Sequence, residues 1–159
     1  MLEVGVGTGL NLDHYSRDVE VCGVDLSPGM LEIARRRAAS LGRPADLRLM
    51  DAQHLEFTEA RFDTVVFSLC LCTVPAPAEA LAEGIRVLRP GGAMVLFEHV
   101  RSSIAPIAWL QAVATPLTWR LFADRFDQPT IDLARQTGLR IDSEERGRLG
   151  VFALAVGRV

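Results

Sequence analysis

The fold is decided by Glu3-Val4-Gly5-Val6-Gly7-Thr8-Gly9-Leu10-Asn11, in which three glycines at alternate positions follow a short apolar segment. Glycine has no Cβ and adopts positive φ without strain, so a loop of this kind lets a ligand approach the backbone closely. A strand followed by such a loop predicts a nucleotide-sized cradle. The spacing differs from the dinucleotide pattern G-x-G-x-x-G, because Leu10 stands where that pattern has its last glycine.

A carboxylate follows the second predicted strand. The segment Val19–Val24 is short and mostly apolar, which predicts a buried strand, and Asp25 comes directly after it. Open α/β sheets place their ligand-contacting residues at the carboxyl ends of the strands, where a carboxylate can accept hydrogen bonds from both hydroxyls of a ribose. We therefore expect Asp25 to lie beside the glycine loop.

Helices and strands alternate along the rest of the chain. Ser27 is a suitable N-cap with Pro28 in the first turn, and Gly42 ends this helix, whose predicted apolar face comprises Met30, Leu31, Ile33 and Ala34. Leu81, Ile85 and Leu88 recur at helical spacing, and a last helix is predicted at Thr130–Thr137. Further strands are predicted at Asp46–Met50, Phe62–Leu69, Ala93–Phe97, Leu139–Ile141 and Val151–Val156.

This alternation predicts a parallel sheet with helices on both faces. The sequence thus predicts one α/β domain over residues 1–159, with a Rossmann-like, doubly wound, mostly parallel sheet that closes in a C-terminal antiparallel hairpin.

Composition excludes several classes of function. The formal net charge is −3, so the chain lacks the basic surplus typical of nucleic-acid binding. All 17 basic residues are arginine, and without lysine there is no Schiff base to pyridoxal phosphate, no P-loop lysine and no Tyr-x-x-x-Lys dyad. Three cysteines are too few for a disulfide framework or a four-ligand zinc site. We expect a reduced, cytoplasmic protein without a metal, in which Cys70 and Cys72 are buried.

The segment Ile104–Ala123 is apolar and carries Trp109 and Trp119. It is interrupted by Pro106, Gln111, Pro116 and Arg120. We therefore expect no membrane-spanning helix here, and instead a helix that borders an apolar pocket.

Five motifs in this order resemble those of class I S-adenosylmethionine-dependent methyltransferases. They are Glu3-x-Gly5-x-Gly7-Thr8-Gly9, Asp25, Asp51-Ala52, Phe62-Asp63-x-Val65 and Arg86-Val87-Leu88-Arg89-Pro90-Gly91-Gly92. The resemblance is closer to the branch that holds ubiquinone and menaquinone biosynthesis methyltransferases, phospholipid N-methyltransferases and alkyl thiol methyltransferases. Leu71-Cys72-Thr73-Val74 and Phe97-Glu98-His99-Val100 resemble the thiol enzymes, whereas Leu2–Leu10 and Met50-Asp51-Ala52 resemble the phospholipid enzymes.

The resemblance implies S-adenosylmethionine as the cofactor and assigns residues to its methionine side. The loop of Gly5, Gly7, Thr8 and Gly9 would lie under the methionine part of the cofactor. Glu3 would order this loop or meet the amino group through water. Ser68 and Leu69, after the fourth strand, would lie near the sulfonium, although Ser68 is equally compatible with a hydrogen-bonded core hydroxyl.

On the adenosine side, the resemblance implies that Asp25 binds the ribose hydroxyls and that Leu26 packs on the adenine. Asp51 would accept a hydrogen bond from the adenine amino group, with Ala52 and Gln53 completing that wall. The residues alone also allow Asp51 to cap a turn.

Methyl transfer needs a general base only when the acceptor must lose a proton. Among His14, His54 and His99, the last follows the fifth predicted strand and is the best-placed candidate base. A structural or helix-capping role for His99 stays open, since a thiolate or an amine acceptor needs no base from the enzyme.

We expect a methyltransferase that acts on a small, hydrophobic acceptor, which is quinone-like, lipid-like or a thiol. The alternative is a cofactor-binding, catalytically incomplete module of the same fold. Because the glycine loop begins at Gly5, we expect the helical lid that such enzymes carry before their first strand to be cut away or supplied by a partner chain. Peripheral membrane contact and a homodimer stay open.

Overall fold

A single mixed sheet forms the centre of the molecule in a computed structural model that describes residues 1–122, 125 and 129–159. Within these residues the strand order is β3-β2-β1-β4-β5-β7-β6, and β7 runs antiparallel to both of its neighbours. The strands are β1 (Leu2–Val4), β2 (Val21–Asp25), β3 (Ala45–Leu49), β4 (Phe62–Ser68), β5 (Leu88–His99), β6 (Arg140–Arg146) and β7 (Phe152–Arg158). The predicted mostly parallel α/β sheet with a C-terminal antiparallel pair is confirmed.

Four α-helices are present in the described residues: α1 (Pro28–Ser40), α2 (Pro77–Val87), α3 (Ala105–Phe122) and α4 (Thr130–Gln136). Short 3-10 turns occupy Leu10–Asp13 and Leu71–Thr73. The first helix begins as predicted, because the Ser27 hydroxyl accepts a hydrogen bond from the Met30 N–H at 3.3 Å and Pro28 follows the cap.

The helices cover both faces of the sheet. Leu31 and Ala34 of α1 pack with Leu47 on one face, in a small cluster at the β3 edge. Helices α2 and α4 contribute to the main core on the other face, where Phe67 and Leu96 from the central strands are fully buried. The sheet is thus packed between two layers of helices, and the carboxyl ends of its parallel strands lie together at one edge.

The apolar face predicted for α1 was too wide. Leu31 and Ala34 are buried, but Met30 and Ile33 are 44% and 45% exposed. Helix α1 lies over the β2 and β3 side of the sheet, so only a narrow stripe at Leu31, Ala34 and Ala38 meets the core.

Several strand boundaries also differ from the prediction. Leu88 begins β5 rather than ending a helix, and β5 reaches back along β4 through a register shift at the turn Arg89–Gly92. Strand β4 ends at Ser68, because Leu69 has a φ of +51°. Strands β6 and β7 are longer than predicted, since their pairing continues well beyond the apolar residues that marked them in the sequence.

Helix α3 occupies most of the predicted apolar segment, of which Ala123 and the Trp119 side chain lie outside the described residues. Its side chains at Trp109, Leu110 and Leu117 are each more than 60% exposed. In the part of the chain that the structure describes, no helix has both the length and the apolar character needed to cross a membrane.

Candidate active site

A cavity of about 460 Å³ opens at the carboxyl ends of β1, β2 and β4. Strand β1 lies between β2 and β4, so the chain reaches its two neighbours in opposite directions, and ligands of open α/β sheets bind at this kind of switch point. Four segments line the cavity: the glycine loop, the end of β2, the loop after β3 and the loop after β4. The volume lies within the range of about 300 to 1,000 Å³ that is common for small-molecule sites.

The glycine loop forms the floor at the end of β1. The N–H groups of Gly5 and Val6 both donate to the Val24 carbonyl at 2.9 Å, which ties the loop to β2. Gly5 and Gly7 have φ values of +73° and +54° and line the cavity. A Cβ at Gly5 would lie 2.6 Å from the Cβ of Cys70, so the close approach of the loop to its neighbour requires glycine at this position.

Asp25 connects the glycine loop with the start of α1. Its Oδ2 accepts a hydrogen bond from the Gly7 N–H and its Oδ1 accepts one from the Ser27 N–H, each at 2.8 Å. A carboxylate offers about four acceptor positions, so both oxygens of Asp25 keep capacity for a ligand. Because Asp25 is half-buried and lines the cavity, it can accept two hydroxyl groups there.

Asp51 and Gln53 form the wall that follows β3. The Asp51 Oδ1 accepts from the Gln53 backbone N–H at 2.9 Å and from its side-chain Nε2 at 3.0 Å. These two hydrogen bonds hold the pKa of Asp51 below its ordinary value, so the group stays ionised at neutral pH. The Gln53 Oε1 accepts the Ala76 N–H at 2.9 Å, which connects this wall to the start of α2.

Apolar side chains line the same cavity as these two carboxylates. Leu26 is 70% exposed beside the cavity, and Met30 of α1 lies next to it, whereas Met50 and Val74 are buried and close the slot from inside. An apolar slot with acidic groups at its rim suits a flat heterocycle that carries hydrogen-bond donors and a sugar.

The loop after β4 provides the last wall, at Leu69 and Cys70. All three cysteines, Cys22, Cys70 and Cys72, are buried, which confirms the predicted burial of Cys70 and Cys72. Burial, and then the nearby carboxylates of Glu98, Asp25 and Glu3, raise the pKa of the Cys70 thiol, so it stays protonated and acts as a packing group.

Glu3 lies beneath the loop and does not line the cavity. It is 1% exposed, and its Oε1 accepts a hydrogen bond from the Asn11 Nδ2 at 2.7 Å. The Tyr15 hydroxyl is buried close to the same carboxylate. Burial raises the pKa of Glu3, and the Asn11 hydrogen bond and then the Tyr15 hydroxyl oppose this rise.

Three other predicted site residues lie outside the lining of this cavity. Thr8 is half-buried in the loop, and Gly9 caps the 3-10 turn at a φ of +75°. Ser68 is the last residue of β4 and is paired with Phe97 of β5. The structure therefore brings together Gly5, Gly7, Asp25, Leu26, Asp51, Ala52, Gln53 and Leu69.

The histidines are also outside the cavity lining. The His99 ring packs at the end of β5 against Phe152, with 4.6 Å between the ring centroids. His14 and His54 are exposed. Within the residues that the structure describes, no group of three or more histidine, cysteine, aspartate or glutamate side chains is placed to hold a metal ion.

Several residues that line the cavity were not predicted as site residues from the sequence. The sequence predicts Met30 on the apolar face of α1 and Cys70 as a buried packing residue, without a contact to a ligand. Thr73, Val74 and Pro75 carry no local signal for a ligand, but Leu71-Cys72-Thr73-Val74 was one of the motifs of the family resemblance and marks this wall.

A family model described as "Methyltransferase domain" matches residues 2–96, which is more than half of the chain. Three curated relatives are similar over two thirds or more of it. A phosphatidylethanolamine N-methyltransferase of Cereibacter sphaeroides is 44% identical over 68% of this chain and 54% of its own. A demethylmenaquinone methyltransferase of Renibacterium salmoninarum is 36% identical over 67% of this chain and 44% of its own. A thiol S-methyltransferase of Mus musculus is 34% identical over 78% of this chain and 52% of its own. The chain spans about half the length of these relatives.

Solved structures share the fold at lower identity. The [4+2]-cyclase SpnF superposes with a TM-score of 0.82 at 19% identity, over 99% of this chain and 73% of that one. A putative methyltransferase from Bacillus halodurans gives a TM-score of 0.79 at 21% identity, over 91% of this chain and 64% of that one. These similarities establish the fold.

Proposed function

Because the chain belongs to the methyltransferase domain family, we propose that its cavity binds S-adenosylmethionine and that the protein transfers the methyl group to a small, hydrophobic acceptor. The observation that carries this proposal is the placement of two carboxylates from neighbouring strands, Asp25 and Asp51, in one cavity with the glycine loop. The first suits the hydroxyls of a ribose, and the second suits an exocyclic amino group.

The residues present fit the cofactor in shape and in charge. Gly5 and Gly7 both line the cavity, and the space at Gly7 is open, with no atom within 4 Å of where a Cβ would stand. The slot between Leu26 and Met50 accepts the adenine, and the carboxylates give the cavity a negative field that favours a sulfonium cation. A nucleoside with a cationic side arm therefore matches both the apolar and the charged parts of the site.

On the methionine side, we assign the floor to Gly5 and Gly7, with Thr8 and Gly9 shaping the loop. Glu3 orders this loop from beneath through Asn11, since its carboxylate is buried and does not reach the cavity. Leu69 forms the wall nearest the sulfonium, and Ser68 supports it from the end of β4.

On the adenosine side, Asp25 binds the ribose hydroxyls and Leu26 covers one face of the adenine. Asp51 accepts a hydrogen bond from the adenine amino group, and Ala52 completes the contact. Gln53 acts on the ligand through Asp51, because both ends of its side chain are already hydrogen-bonded to protein.

When bound, the cofactor supplies a methyl group already activated for transfer by the positive sulfur. The protein's part is then to hold the two reactants in line and to keep water out of the cavity. An acceptor that must lose a proton needs a base as well, and His99 is our candidate for that role. A His99→Gln variant should lose turnover with such acceptors and keep it with acceptors that need no deprotonation.

The names of the relatives suggest three acceptor classes, which are an ethanolamine phospholipid, a quinone and a thiol. An acceptor of any of these classes can carry a large apolar group, and the exposed apolar side chains on α3 could contact such a group. We propose an acceptor of this hydrophobic kind. A clear preference for polar acceptors in a labelled-methyl transfer assay would contradict it.

Cofactor binding is tested by calorimetric titration of the protein with S-adenosylhomocysteine. We expect one site, with affinity lowered about tenfold or more in an Asp25→Ala variant, because a hydrogen bond to a charged group contributes about 1.5 to 3 kcal/mol. The matched control is Asp13→Ala, an exposed carboxylate away from the cavity, which should bind as the parent does. Absence of binding by the parent protein would overturn the proposal.

A second candidate function is a cofactor-binding module without transfer activity. It is favoured by one observation, that the described residues of α3 do not line the cavity as the predicted acceptor segment should. Tight binding of S-adenosylhomocysteine without methyl transfer to any of the three acceptor classes would select this alternative.

A further inference from the structure

Glu98 is a fully buried carboxylate near the end of β5, and no cavity-lining role accounts for it. Its Oε1 accepts hydrogen bonds from the backbone N–H groups of Cys70 and Leu71, each at 3.0 Å. A polar side chain is costly to bury unless it is hydrogen-bonded, and here one carboxyl oxygen accepts two bonds from the backbone. Glu98 thus fixes two successive amides of the loop after β4.

The conformation of this loop is strained. Leu69 has a φ of +51°, which is uncommon for a residue other than glycine, asparagine or aspartate and costs free energy. Its N–H donates to the Phe97 carbonyl at 2.8 Å. Two successive residues of β5, Phe97 and Glu98, therefore hold three successive amides, at residues 69–71, and keep the loop in a conformation that its own sequence does not favour.

The same loop forms part of the cavity. Leu69 and Cys70 line it, and the Cys70 side chain packs directly against Gly5 of the glycine loop. A displacement of Cys70 would therefore move the glycine loop or open a gap beside it. Glu98 also lies close enough to Cys70 to raise the pKa of the thiol, as do Asp25 and Glu3 from other sides.

We propose that Glu98 is a positioning residue for the cofactor cavity. It sets the wall at Leu69 and Cys70, and through Cys70 the seat of the glycine loop, without lining the cavity itself. This inference rests on the proposed function, because it assigns Glu98 a purpose in binding S-adenosylmethionine. Position 98 needs a side-chain oxygen that accepts hydrogen bonds. Glutamine supplies such an oxygen, and an apolar side chain does not.

The experiment compares Glu98→Gln and Glu98→Leu by calorimetric titration with S-adenosylhomocysteine, after thermal unfolding has shown that each variant is folded at the titration temperature. We expect the affinity of Glu98→Gln to stay within about threefold of the parent and that of Glu98→Leu to fall about tenfold or more. If glutamine preserves the affinity and leucine does not, the affinity depends on the acceptor oxygen and not on a general disturbance of the core.

A Met94→Ala variant is the matched control, since Met94 is also fully buried on β5 and makes no hydrogen bond to the loop. It should lower the unfolding temperature and leave the affinity unchanged. Equal affinity of parent and Glu98→Leu would overturn the inference, and so would equal weakening by all three variants. If the parent itself does not bind, the proposed function fails first, which is a distinct result.

Amide hydrogen exchange tests the same point in the protein without ligand. In the parent protein without ligand, we expect the amides of Cys70 and Leu71 to exchange slowly, because Glu98 already accepts them. In Glu98→Leu they should exchange at least about tenfold faster, while the amide of Val95 in the same strand stays protected. Fast exchange of both loop amides in the parent protein would contradict the positioning role.

Discussion

Asp25 accepts a hydrogen bond from the Gly7 N–H at 2.8 Å through its Oδ2, and this contact joins the end of β2 to a loop 18 residues earlier in the chain. The other oxygen, Oδ1, is bound to the Ser27 N–H at the start of α1. The carboxylate that we assign to the ribose is therefore also a structural link between loop and helix. Its removal has two consequences, one for the ligand and one for the fold.

We predict that Asp25→Ala lowers the free energy of unfolding of the ligand-free protein by about 1 to 3 kcal/mol, because two backbone N–H groups lose their acceptor. Urea denaturation measures this change. Asp13→Ala serves as the control, and as an exposed substitution it should stay within about 0.5 kcal/mol of the parent. An Asp25→Ala variant as stable as the parent would show that water replaces the carboxylate fully.

The glycine loop offers a matched pair of substitutions. Gly5→Ala and Gly7→Ala both place a Cβ at positive φ, which costs about 1 to 2 kcal/mol. Only at Gly5 would that Cβ collide with Cys70, whereas nothing lies within 4 Å at Gly7. We predict that Gly5→Ala is the more destabilising by about 1 to 3 kcal/mol, which is the usual cost of overpacking.

Thermal and urea unfolding of the two variants, measured in the same buffer, check this difference. Similar losses of stability would mean that Cys70 moves aside easily. In that case the glycine loop and the wall at Cys70 are not rigidly packed against each other.

The sequence allowed the glycine loop and Asp25 to be predicted, because each has a local signal. Alternate glycines after an apolar strand and an acid at the end of the next strand are patterns within a few residues. The sheet could be predicted for the same reason, since β4 appears as a continuous apolar run. These features need no knowledge of what lies across the fold.

The wall at Leu69 and Cys70 could not be predicted in this way. Its conformation depends on Glu98, which is 28 residues away from Cys70, and a run of apolar residues through Leu69 looks like an uninterrupted strand. Met30 was misplaced for a related reason. Helical spacing shows that a residue lies near the apolar face of a helix. Whether that residue is buried depends on how much of the face the sheet covers, which the spacing does not show.

Glu3 leads to a prediction about pH. Burial raises its pKa above the ordinary value of 4.5, so the folded protein binds a proton more tightly than the unfolded chain does. The contribution of Glu3 to stability is thus most favourable below pH 4.5 and is lost as the pH rises through the folded-state pKa. We predict that Glu3→Gln abolishes this part of the pH dependence.

The measurement is the urea midpoint of parent and Glu3→Gln at several values between pH 4 and pH 8. The stability of the variant relative to the parent should rise with pH across this interval, since only the parent acquires a buried charge. A constant difference would contradict a raised pKa for Glu3.

Gln53 provides a test of the wall between β3 and α2. Its Nε2 donates to Asp51 and its Oε1 accepts the Ala76 N–H, so Gln53→Ala removes both links. We predict a loss of unfolding free energy of about 1 to 2 kcal/mol and weaker binding of S-adenosylhomocysteine, because Asp51 is no longer held in place. Gln136→Ala, an exposed change on α4, is the control for titration and denaturation. Unchanged affinity in Gln53→Ala would show that the Asp51 carboxylate orients without it.

A variant at Trp109 on α3 tests cofactor binding and acceptor binding separately. Trp109 is 68% exposed and does not line the cavity, so Trp109→Ala should leave the affinity for S-adenosylhomocysteine unchanged. If α3 supplies the apolar contact for the acceptor, the same variant should raise the KM for a hydrophobic acceptor severalfold, because a large apolar surface is removed. Steady-state kinetics with a thiol and with a phospholipid measure this. A KM equal to that of the parent for both acceptors would exclude Trp109 from acceptor binding, and weaker cofactor binding would show that α3 reaches the cavity itself.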